Sequence, residues 1–115
     1  LLVELEDAEP GLVLAQRAAD LTQAEALVRA LAAERDMLRA TLDQARSMHA
    51  VSQAKLERHQ ALRARGLISQ SLVDEVQAEA DRSAIQRSDH ERRLAELPHR
   101  LRALEAQVER AAALV

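Results

Sequence analysis

The chain has 115 residues, 48% of them hydrophobic and none aromatic, with a formal net charge of −3 at pH 7. The negative balance and the missing stacking side chains argue against nucleic acid as a partner. The absence of cysteine excludes disulfide and thiolate chemistry, and no apolar run approaches the ~18 residues that a membrane span needs. A composition rich in Ala, Leu, Glu and Arg builds long helices or a coiled coil rather than a thick globular core.

The chain opens on Leu rather than Met and reads as an excised piece of a longer protein, so the lack of a visible signal peptide says nothing about location. Residues 1 to 7, Leu-Leu-Val-Glu-Leu-Glu-Asp, alternate apolar and polar side chains and give a weak strand signal. Glu9, Pro10 and Gly11 then punctuate the chain, and a helix is expected to start just after them. From Leu12 to Ala64 there is neither Pro nor Gly. At 1.5 Å per residue such a helix is roughly 80 Å long, which makes it an arm, a spacer or a coiled coil. Its apolar stripe steps by three and four through Leu21, Ala24, Val28, Leu31, Arg35, Leu38, Leu42, Ala45, His49, Ser52, Leu56 and His59. That spacing marks the seam of a left-handed coiled coil.

The next stretch, Arg58 to Ser71, holds Gly66, the only glycine after Gly11. A lone glycine closing an Arg-rich helical turn and followed by serine reads as helix stop, turn and helix start. Residues 65 to 70 are therefore the predicted tip of a helical hairpin. Ser69 and Ser71 compete for the N-cap of the second helix. Ser71 has Asp74 three residues on, close to a capping box, whereas Ser69 has Leu72 there.

The second arm carries a cleaner stripe: Val73, Val76, Ala80, Ser83, Arg87, His90, Leu94, Leu97, Leu101, Leu104, Val108, Ala111 and Val115. Folding the chain so that partner numbers add to 135 or 136 sets Leu56 against Ala80, Leu42 against Leu94, Leu31 against Leu104 and Leu21 against Val115. One fold point thus registers both stripes, which two unrelated helices have no reason to satisfy. Near the tip the first stripe slips by one residue, using Leu62 in place of Arg63. Leu14 and Ala18 find no partner in this register, so the complete hairpin is expected to continue past Val115. The fold class is accordingly all-α: a long antiparallel two-helix coiled-coil hairpin over residues 11 to 115, with residues 1 to 10 as a lead-in.

The middle layers, Ser52/Ser83, His49/Arg87 and Ala45/His90, bury few methylenes at ~0.8 kcal/mol each, so the outer Leu layers are expected to hold the hairpin. Pairs such as Glu25–Arg29, Asp89–Arg93 and Glu96–Arg100 add ~0.3–0.5 kcal/mol each. Pro98 costs ~3 kcal/mol inside a straight helix and predicts a kink or break near residues 94 to 98.

Candidate chemistry is sparse. No carboxylate pair sits in a plausible cleft, and the Ser, His and Asp residues are scattered along two rods, so no enzyme activity and no cofactor are expected. His49 and His90 come near each other across the seam, but a metal site needs more ligands and Arg87 lies beside His49. Met37 and Met48 read as packing residues rather than metal ligands. Leu27, Val51 and Ile85 lie off the internal stripe and could meet neighbouring hairpins. At the tip, cationic and apolar groups combine in Arg58, Leu62, Arg63, Arg65, Leu67 and Ile68. They serve either to close the helix end or as a contact surface.

The tip also resembles a known family. Arg58, Leu62 and Ser69 match the Arg–Leu–Ser tip motif of bacterial periplasmic adaptor proteins, the membrane fusion proteins of HlyD type. Gly66-Leu-Ile68-Ser69 followed by Asp74 is similar to that family's hairpin turn. Residues 1 to 7 resemble the end of its first lipoyl half-motif, and Ala95-Glu-Leu-Pro98 with the following heptads resembles the returning arm of some members. The resemblance covers nearly the whole chain, and its tip letters straddle an independently deduced turn. The Gln-rich or aromatic tips of other members are not seen.

The resemblance implies a non-enzymatic periplasmic subunit of a Gram-negative efflux or secretion system, in a full-length protein anchored to or associated with the inner membrane. It implies a bridge between an inner-membrane transporter and a TolC-like outer-membrane channel. Commonly six hairpins stand side by side as a tube, and Arg58, Leu62 and Ser69 carry the channel contact. A generic coiled-coil spacer with an unrelated partner predicts the same rods without a reason for the Arg–Leu–Ser spacing. A membrane-active hairpin would need a continuous outer apolar face, whereas the seam is consumed internally.

Overall fold

The computed structural model describes residues 2–115, with side chains from Pro10 onward. It is an all-helical hairpin of two antiparallel helices, α1 (Leu2–Ala64) and α2 (Gln70–Leu114). No strand occurs among the described residues. The expected strand near residues 1 to 7 and the expected helix start after Gly11 are therefore corrected, because α1 already runs from Leu2 through Pro10 and Gly11. The Leu and Glu residues that made the alternating pattern are also strong helix formers, and Leu2 and Leu5 stand at the helical spacing of three. Pro10 gives up one backbone hydrogen bond without ending the helix. The likeness to a lipoyl half-motif rests on side chains outside the described residues.

The chain forms two units, Asp36–Ala95 and Leu1–Arg35 with Glu96–Val115. In the first, Leu42, Ala45, Ser52 and Leu56 of α1 are buried, as are Val73, Val76, Ala80 and Ser83 of α2. Leu38, His49, His59, Leu62, Arg87, His90 and Leu94 are half-buried, and Arg63 is exposed. Each of these positions is one that the three-four stripe names, including the slip from Arg63 to Leu62. Ser52 meets Ser83 at 2.6 Å and Lys55 meets Glu79 at 3.2 Å, both close to the expected register. Leu56, Val73, Val76 and Ala80 form one apolar cluster, with Ile68 packed against it.

In the other unit Ala24, Leu31 and Leu97 are buried. Leu21, Val28, Leu101, Leu104, Val108 and Ala111 are half-buried, and Arg17 Nη1 donates to the Leu114 carbonyl at 3.4 Å. The Val28 and Val108 layer borders an open hollow of about 450 Å³. Val115, expected opposite Leu21, is 56% exposed. Of the outer Leu layers, Leu31, Leu42 and Leu97 are buried, and Leu38, Leu94, Leu101 and Leu104 half-buried. The apolar cluster lies beside the turn, where Val and Ala let the helices close around Leu56, whereas several outer layers stay half open.

α2 runs unbroken through Pro98, so of the expected kink or break, no break occurs. Leu97, immediately before the proline, is only 2% exposed. Full burial of a leucine is worth about 1.5–3 kcal/mol, comparable with the ~3 kcal/mol that an interior proline costs.

Candidate functional site: the hairpin tip and one flank

The tip is set by backbone chemistry. Gly66 has φ 72°, a left-handed conformation that a Cβ penalises and glycine does not. Gly66 N–H donates to the Arg63 carbonyl at 2.8 Å and Leu67 N–H donates to the Leu62 carbonyl at 3.0 Å. These two bonds are the Schellman pattern that closes an α-helix on a glycine. After the turn, Leu72 N–H donates to Ser69 Oγ at 3.2 Å, so Ser69 is the N-cap of α2. Ser71 does not fill that role, despite the Asp74 three residues beyond it. Asp74 accepts instead from Gln70 Nε2 at 2.9 Å. It therefore sits on α2 rather than in the turn, and Ile68 closes the turn from below against the apolar cluster.

Arg58 and Leu62 come together at the end of α1, Leu62 half-buried at the seam and Arg58 exposed beside it. With Ala61 and Arg65 they line an open hollow of about 310 Å³. Arg65, one of the tip cations named from the sequence, stands at heptad spacing from Arg58. Ser69 is not part of this lining. Its oxygen is committed to the α2 cap, although its O–H remains able to donate to a partner. The site therefore consists of two guanidinium groups flanking a half-buried leucine, beside a rigidly closed turn. Such a surface can grip a helix end through carbonyl or carboxylate acceptors and one apolar contact.

The middle of the seam is a hydrogen-bonded polar layer rather than a metal site. Ser52 Oγ lies 2.6 Å from Ser83 Oγ, and His49 Nδ1 lies 3.2 Å from Ser83 Oγ. Ser83 Oγ also donates to the Ala80 carbonyl at 2.8 Å. Each hydroxyl carries one proton. Ser52 Oγ is likewise placed to donate to the His49 carbonyl at 3.0 Å, so the two serine protons face more acceptors than they can serve and the layer accommodates either tautomer of His49. His90 Nδ1 is shielded from solvent and has no hydrogen-bond partner among the described residues. No group of three or more His, Cys, Asp or Glu is gathered at metal-binding reach among the described residues.

The off-seam residues divide. Leu27, Val51 and Ile85 are all exposed. Within the unit Asp36–Ala95, Val51 lies on a flank of α1 and Ile85 on the back of α2, so these two do not share one face. Met37 and Met48, read from the sequence as packing residues rather than metal ligands, are 68% and 60% exposed. Both fall on the flank of Val51, because their heptad positions lie beside the seam and not in it.

No protein-family model, curated protein or solved structure matches the chain. No helix among the described residues is long and apolar enough to cross a membrane.

Proposed function

We propose that this chain is the helical hairpin of a periplasmic adaptor of HlyD type. Its tip docks on a TolC-like outer-membrane channel, and further domains of the full-length protein link that channel to an inner-membrane transporter. The observation that carries this reading is the pairing of Arg58 and Leu62 in one open hollow beside a turn closed by Gly66 and capped by Ser69. The three residues of the tip motif thus bracket a turn of the kind the motif requires. The role is mechanical, with no catalytic step and no cofactor. A contact this small binds weakly alone, so assembly relies on several hairpins acting together, six in the family's usual tube.

The test is Arg58→Glu in the full-length protein, scored by complementation of efflux or secretion, with helicity followed in parallel. Loss of transport at unchanged helicity is expected, and full transport overturns the docking role.

A spacer arm with a different partner is the second reading. Ser69 favours it, because its hydroxyl already serves to start α2, so folding alone accounts for one of the three motif residues. Under that reading Arg58→Glu leaves transport untouched.

A further inference from the structure

Arg58, Arg63 and Arg65 crowd the end of α1, and the stretch from Arg58 to Val73 contains no Asp or Glu. A cation near a helix C-terminus offsets the macrodipole, but the effect falls off within the last turn. Arg63 is the basic residue of that turn, and its Nη1 donates to the Ile68 carbonyl at 3.4 Å. The hairpin turn thus employs Arg63. Arg58 lies more than a turn further back in α1, beyond the reach of the dipole. Arg65 stands just past the helix end, where its backbone N–H donates to the Leu62 carbonyl at 3.2 Å.

The side chains of Arg58 and Arg65 are exposed, and neither makes a hydrogen bond or ion pair among the described residues. Asp74, the next carboxylate along the chain, is held by Gln70 Nε2 at 2.9 Å. Glu57 precedes Arg58 by one residue, a spacing at which helical side chains do not face each other. Both arginines line one hollow of about 310 Å³, with Ala61 and the half-buried Leu62 between them. Their heptad spacing corresponds to roughly 10 Å along a helix. A backbone carbonyl can accept from a guanidinium but leaves its charge unbalanced. A carboxylate matches both the fork of donors and the charge.

We propose that Arg58 and Arg65 form a two-point clamp for a partner helix that carries two carboxylates one heptad apart, with an apolar side chain between them seated on Leu62. The inference deepens the docking reading of the tip and rests on it. It makes Arg65, which the Arg–Leu–Ser motif does not contain, a specificity-determining residue. The paired charges select the partner, and Leu62 supplies the apolar contact.

Two measurements on the full-length protein test the clamp. In the first, fluorescence anisotropy follows a labelled helical peptide with Glu at two positions a heptad apart and Leu midway. The same peptide with Gln at both positions, and one with its two Glu on opposite faces, serve as controls. The heptad-spaced Glu peptide is expected to bind more tightly than either control. Arg65→Gln should weaken it about two- to fivefold, the usual range for one exposed ion pair, and Arg65→Lys should recover part of the loss. Equal binding of the three peptides, or no binding of the heptad-spaced one, overturns the clamp. In the second, Leu62→Cys is captured on cysteines at the periplasmic tips of a TolC-like channel. The clamp predicts a cross-link whose yield drops with Arg65→Gln while helicity stays unchanged. A cross-link indifferent to Arg65→Gln overturns the clamp and leaves docking standing, whereas no cross-link with Arg65 intact overturns both.

Discussion

Replacing Gly66 by alanine isolates the backbone cost of the turn. The glycine has φ 72°, and an added Cβ meets no atom within 4 Å, so no steric contact contributes. What remains is the left-handed penalty for an L-residue, roughly 1–2 kcal/mol. Against this stands the reduced freedom of the unfolded chain, roughly 0.4–1 kcal/mol for glycine to alanine. The net destabilisation is about 1 kcal/mol. Urea unfolding followed by far-UV circular dichroism reads it directly. With m-values of ~1–3 kcal/mol/M for small proteins, the midpoint falls by roughly 0.3–1 M at unchanged slope. Asparagine tolerates this region better, so Gly66→Asn should cost less. A neutral Gly66→Ala, or a Gly66→Asn as costly as Gly66→Ala, refutes the assignment of Gly66 as the helix-closing residue.

Further outcomes follow from the same structure. Leu56, 4% exposed in the apolar cluster, should lose about 2–5 kcal/mol on mutation to alanine. The exposed Met48→Ala should stay within about 0.5 kcal/mol of wild type when assayed as a monomer; equal costs in urea unfolding would remove the cluster as the core. Ser69→Ala should cost about 1 kcal/mol and Ser71→Ala close to none, with the reverse order placing the cap at Ser71. The hydrogen bond from Arg92, 2.8 Å away, holds the Asp89 carboxyl below the usual carboxylate range against an opposing desolvation, helped by the nearby charges of Arg93, Arg92 and His90. Because the folded value is the lower one, this stabilisation is present above the unfolded carboxylate range and is lost as pH falls through the folded value. An NMR titration should show Asp89 moving up in Arg92→Ala; an unmoved titration rules out the Arg92 hydrogen bond as the cause.

The hairpin is legible in the sequence because a coiled-coil seam repeats. Every buried position in the unit around the turn, from Leu42 to Ser83, lies on a stripe with steps of three and four, and one glycine fixes where the stripes meet. The tip pair Arg58 and Leu62 is legible for the same reason, since i, i+4 residues share a helix face. Other features depend on what pattern does not carry. Leu5 fits a strand through its alternation with Val3 and a helix through its spacing of three from Leu2, so the pattern of residues 1 to 7 does not decide their state. The N-cap goes to Ser69 because the Schellman turn places it in register with Leu72 N–H, whatever Asp74 offers to Ser71. The intrinsic cost of Pro98 predicts a kink or break; no break occurs, and the burial of Leu97 is of the same size as that cost. Residue type alone puts Met37 and Met48 inside, whereas their heptad positions put them on the flank.

The central claim is that the tip touches a channel, and disulfide capture tests it most directly. Leu62→Cys would be placed in the full-length protein and expressed with a TolC-like channel carrying cysteine at its periplasmic helix tips. Docking predicts a cross-link between the two proteins that disappears when Arg58→Glu is added. A folded, exported Leu62→Cys protein that never links to the channel, with or without Arg58, contradicts it and leaves the hairpin as a spacer for some other partner.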